Sequence, residues 1–89
     1  MNKQQQIHFD SLHLQHVNAL TRQGKNKVTI DSYARALRRI TTYFDRCPDQ
    51  LSQDDLKDYF TSLIKTHSWS IVKIDRNGLQ FFYKHVLGK

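Results

Sequence analysis

The sequence predicts an all-α domain, a compact bundle of four helices. Three observations carry that expectation. Apolar residues recur at spacings of three and four in four separate stretches instead of alternating. Gly and Pro are scarce, three and one in 89 residues, which suits a few helices joined by short turns better than a many-turned β fold. Capping-type side chains stand ahead of each stretch: Asp10 or Ser11, Asn26 or Thr29, Ser52, and Ser68 or Ser70.

Residues 1–8 are polar and Gln-rich and read as a flexible N-terminal tail. Residues 9–89 read as one domain, since the chain is long enough for one and too short for two. A first helix is expected from Phe9 to Gln23, with Phe9, Leu12, His13, His16, Val17 and Leu20 on one face, ended by Gly24. A second follows the short basic turn Lys25 to Lys27 and runs to about Asp45, its core stripe made by Ile30, Tyr33, Ala34, Leu37, Ile40, Thr41 and Phe44, and Cys47-Pro48 stops it. Ser52 and Asp55 form a capping-box pattern for the third, whose apolar face is Leu56, Tyr59, Phe60, Leu63 and Ile64. The fourth extends to Leu87, with Ile71, Ile74, Gly78, Phe82 and Val86 turned to the core and Trp69 filling the end of it. Gly78 in mid-helix predicts a close helix crossing, and Asp75, near the apolar side, predicts a partner on a neighbouring helix, with Arg38 the candidate.

The formal net charge is +6, a balance that favours a polyanionic partner, most often nucleic acid. The second and fourth helices are two-faced. Arg35 and Arg39 lie opposite the second helix's apolar stripe with Arg38 on the flank, and Lys25 and Lys27 precede it. Lys73, Arg76, Asn77, Gln80 and Lys84 occupy the outer side of the fourth, where the amides are able to bond base edges as well as phosphates. The aspartates of the third helix cap and solubilise it, and their sign turns that helix away from a polyanion. Catalytic and metal sites are not expected. Cys47 has no His nearby, and the His13–His16 pair falls short of the three or four ligands zinc takes. No cofactor is implied. A single Cys excludes an internal disulfide and suits a reducing compartment, and no apolar run nears the roughly 20 residues of a membrane span.

From Thr29 onward the pattern resembles the N-terminal core-binding domain of tyrosine recombinases, the phage-integrase family. The matching pieces are Thr29-Ile-Asp-Ser-Tyr33, Leu37-Arg-Arg39 and Phe44; then Pro48, Leu51-Ser-Gln-Asp-Asp-Leu56 and Tyr59-Phe60; then Ser70-Ile-Val72, Leu79-Gln-Phe-Phe-Tyr83 and Val86-Leu-Gly88. The resemblance implies a SAM-like orthogonal bundle that forms half of a clamp around double-stranded DNA, while a separate C-terminal domain cuts. It places Lys25, Lys27, Thr29, Arg35 and Arg39 in one DNA-facing segment and Ser70, Lys73, Arg76, Asn77, Gln80 and Lys84 in the other. The family's His-x-x-Arg pair has no counterpart here, and Tyr33 and Tyr59 align with core positions, so this part of such an enzyme is expected to bind without cleaving. The expected setting is the cytoplasm, in a bacterial or phage-encoded protein, with recombinase protomers as further partners and the isolated domain monomeric. The alternative is a helical protein-interaction module, acting in recombinase assembly or as an adaptor.

Overall fold

The polar N-terminal segment already carries its own helix-start chemistry. The Asn2 side chain accepts from the Gln5 N–H at 2.8 Å, and the Gln5 side chain accepts in return from the Asn2 N–H at 2.9 Å, so two donors that a helix start leaves free are satisfied together. Helix α1, Lys3–Arg22, therefore begins well before Phe9 and is capped by Asn2 instead of Asp10 or Ser11. Glutamine is a good helix former, which is why the stretch expected as a tail is helical. The computed structural model describes residues 1–88; Lys89, the last residue of the expected domain, lies outside them.

Gly24, at φ +74°, ends α1, and the Gly24 and Lys25 N–H groups donate to Thr21 and Leu20 carbonyls. Helix α2, Lys27–Phe44, starts at Asn26, whose side chain accepts from the Thr29 N–H at 2.9 Å. Asp45 in the left-handed region (φ 51°) ends it, two residues ahead of the expected Cys47-Pro48 break. A 3₁₀ turn, Pro48–Gln50, leads to α3, Gln53–Thr66, whose start is the expected reciprocal pair of Ser52 and Asp55. Helix α4, Trp69–His85, is capped by Ser68. Four helices and no strand among the described residues make an all-α bundle.

The bundle is organised on the α2–α4 pair, its most extensive helix contact. Leu20, Leu37, Ile40 and Phe82 are fully buried, with Leu12, Leu63, Val72 and Leu79 around them; each such side chain contributes about 1.5–3 kcal/mol by leaving water. A Cβ on Gly78 would stand 3.2 Å from the Tyr33 Cα and 3.3 Å from the Ala36 Cβ, so the expected close crossing is present and α2 is the partner. Asp75 is buried beside it, but its partner is Arg39, not Arg38: Arg39 Nη1 donates to Asp75 Oδ2. On an α-helix, residue 39 lies about 100° further round than 38, and that turn separates the α4 side of α2 from the α1 side.

Polar groups fasten the periphery. The Tyr83 hydroxyl donates to the Pro48 carbonyl at 2.7 Å and ties α4 to the 3₁₀ turn. Buried Cys47 donates to the Gln5 carbonyl at 3.2 Å, and burial pushes its thiol up, the opposite of an activated nucleophile. Three apolar expectations fail. Trp69 is 67% exposed, Ile64 55% and Ile74 40%. Trp69 is the first residue of α4, so it leaves the bundle's end and lies beside α3.

Candidate nucleic-acid interface

Tyr33 faces Gly78 and Phe81, while Arg39, further along α2, meets Asp75, which comes earlier in α4. The two helices therefore run in opposite directions along their contact. This pair carries the candidate residues, and its register decides where each one points.

At the start of α2, Lys25 and Lys27 are exposed on either side of the cap Asn26, and Thr29 is half-buried with its N–H already used by that cap. Arg35 is exposed one turn before Arg39. The Arg39 guanidinium is committed to Asp75, with side-chain exposures of 33% and 3% for the pair. Arg38 turns to the other flank, where it borders a small hollow with Phe9, Thr41 and Thr42. Its charge also lowers the pKa of His13, after the larger effect of burial.

On α4, Ser70, Lys73 and Lys84 are exposed and Asn77 is half-buried. Their spacing puts them on one stripe. Arg76 and Gln80 flank that stripe on the α3 side, where they border an apolar groove with Phe60, Ile64 and Trp69. The structure thus brings Arg35, Lys73, Asn77 and Lys84 onto the outer sides of one helix pair. It sets Arg38 toward α1 and Arg76 and Gln80 toward α3.

Among the described residues, Arg39 and Arg46 are the only Lys or Arg side chains paired with a carboxylate. Lys25, Lys27, Arg35, Lys73, Arg76 and Lys84 remain free, and unpaired exposed cations are what phosphate contacts require. Base-edge chemistry is open to Asn77 and Gln80. Burial raises the Tyr59 phenol strongly and pushes Tyr83 up to about 12. His16, lowered by burial to about 4, is enclosed with its Nε2 donating to the Tyr33 carbonyl. No group of three His, Cys, Asp or Glu among the described residues is placed to hold a metal ion, and none of the described helices is long and apolar enough to cross a membrane.

The groove was not legible as a feature. Its one sequence signal is that Phe60 and Ile64 continue α3's apolar stripe toward Trp69, past the width a single core contact fills.

Comparison with curated proteins and with solved structures gave no match. The family model of the phage integrase N-terminal SAM-like domain matches residues 12–89. That span holds everything from the middle of α1 to the end of α4, and it includes both candidate segments. The chain belongs to the family of phage integrase N-terminal SAM-like domains.

Proposed function

We propose that this domain binds duplex DNA as the N-terminal half of the clamp of a site-specific tyrosine recombinase, with the cutting done by a separate catalytic domain. The observation that carries the reading is the set of exposed, unpaired cations on the α2–α4 pair: Lys25, Lys27, Arg35, Lys73, Arg76 and Lys84, in a chain of an integrase-domain family. These residues, with Arg38 and the remaining donors of Arg39, neutralise phosphates and fix the register on the duplex. Thr29 and Ser70 add hydroxyl contacts at the two helix starts. Asn77, Gln80 and Arg76 are the base readers. Half a clamp binds weakly, with a dissociation constant on the order of 10⁻⁴–10⁻⁶ M and a steep loss of affinity with salt.

The test is a titration of the labelled domain with duplex DNA, followed by backbone amide shifts. Shifts are expected on α2 and α4. The double variant Arg35→Glu, Lys73→Glu is expected to abolish them while circular dichroism stays that of the parent. Unchanged shifts in the double variant would reject these faces.

The second reading, a protein-interaction module, draws on the apolar groove between α3 and α4. Association that ignores salt, with no response to duplex, would favour it.

A further inference from the structure

The groove has a floor of Leu56 and Phe60 from α3 and Val72 and Leu79 from α4, and a volume of about 1060 Å³. Ile64 and Trp69 stand along it largely exposed. A concave apolar cleft rimmed by polar side chains is the form that docking sites take. Three features define what fits. Both walls are helices whose backbone groups are bonded within themselves, so there is no strand edge to extend, and recognition has to come from side chains in the manner of a helix laid in a groove. The α3 wall has 14 residues, about 21 Å at 1.5 Å per residue, which sets the occupant's length. The charged side chains at the rim are Lys57 and Arg76, exposed and without a carboxylate partner among the described residues.

A second copy of this chain fits poorly. Groove on groove it would set Lys57 and Arg76 against the same cations of the other copy, and of its other exposed apolar residues Val28, Tyr43 and Ile74 stand singly, which leaves Ile7 and Leu14 on α1. The one carboxylate between them, Asp10, already accepts from Gln6 Nε2. Two cations at the rim call for an occupant richer in acid than that.

We propose that the α3–α4 groove docks an amphipathic helix of a partner protein, apolar along one stripe and carrying carboxylates on its flanks. The apolar stripe seats on Phe60, Ile64 and Trp69, and the carboxylates pair with Lys57 and Arg76. The inference needs no DNA, but it shares Arg76 with the proposed DNA-contact set, so its test is run without duplex.

Trp69 is the only tryptophan of the chain and lies in the groove, so its emission reports occupancy. The probe is a designed helical peptide of about 14 residues with leucine at every third or fourth position and glutamate on the flanks. Controls replace glutamate by lysine or scramble the leucines. The glutamate peptide is expected to shift Trp69 emission to the blue with a dissociation constant on the order of 10⁻⁵ M, and the lysine peptide to bind at least about tenfold more weakly. Arg76→Glu, which leaves Lys57 against a new carboxylate, is expected to erase that preference. Ile64→Ser, at an exposed site that leaves the fold intact by circular dichroism, is expected to abolish the shift. Equal binding of the acidic and basic peptides, binding of the scrambled peptide, or an unchanged affinity in Ile64→Ser would overturn the proposal. So would a blue shift that grows with protein concentration alone, which would make the occupant a second copy.

Discussion

Arg39 and Asp75 lock the central helix pair: the guanidinium reaches across from α2 and donates to a carboxylate that α4 has taken out of water. The two partners are unequally placed, since the Arg39 side chain keeps a third of its exposure and the Asp75 side chain almost none. Removing Arg39 leaves a buried charge without a partner, whereas removing Asp75 leaves a cation that is able to turn to solvent. Arg39→Ala is therefore expected to cost about 3 kcal/mol and Asp75→Ala about 1–2 kcal/mol, read from urea unfolding. A larger loss for Asp75→Ala would contradict this account of the pair.

Gly78 sits where α2 comes nearest. Alanine there gains about 1 kcal/mol of helix propensity, but its methyl meets the Tyr33 backbone at 3.2 Å, and the carbonyl of that residue is held by His16 Nε2. Overpacking of this kind typically costs about 1–3 kcal/mol. Gly78→Ala is expected to be destabilising by about 1 kcal/mol net, and Gly78→Val to prevent the helix pair from closing. Thermal melts of both variants check the sign.

His16 makes stability depend on pH. Its Nε2 donates to the Tyr33 carbonyl, which can only accept, so Nδ1 is the bare nitrogen, and it is buried without a partner. Burial lowers the folded pKa to about 4 from 6.5. The unfolded chain then binds the proton more readily, so this contribution is complete above about pH 6.5 and is lost as pH falls toward 4. The loss reaches about 3 kcal/mol at 1.36 kcal/mol per pKa unit. Urea unfolding between pH 7 and 4 is expected to show this slope in the parent chain and a shallower one in His16→Asn.

Trp69 and Phe82 are both large aromatics on α4 with opposite fates. Phe82 is fully buried, so Phe82→Ala is expected to cost about 3–5 kcal/mol. Trp69→Ala, at an exposed site, is expected to change stability by about 0.5 kcal/mol or less. A comparable loss at both positions would place Trp69 in the core after all.

What was legible in the sequence is what local chemistry decides. The Ser52–Asp55 start, the Asn26 cap and the Gly24 stop follow from residues that act within a turn or two of themselves, and the mid-helix Gly78 signals a close crossing without naming the helix that crosses. What was not legible depends on which neighbour a face meets. Arg38 and Arg39 are adjacent in sequence, and only the packed bundle decides that Arg39 reaches α4 while Arg38 faces α1. Trp69 illustrates the same limit, because bulk and hydrophobicity promise burial, but the first position of a helix projects beyond the layer that buries the rest. Asn2 is different: its capping pattern was present, and the polar composition of the glutamines obscured it. The candidate cations were selected from charge and spacing, and the groove beside Arg76 emerged only when α3 and α4 were brought together.

The last helix of the four covers the second, and the tie from Tyr83 reaches back to Pro48. Such pairings between distant stretches slow collapse relative to local ones. Translation delivers the chain from its N-terminus, so α2 emerges from the ribosome with only α1 against it, and its other side stays uncovered until α4 arrives. Nascent chains stalled before Phe82 should be open to protease and to chaperones, and those released beyond His85 should be closed.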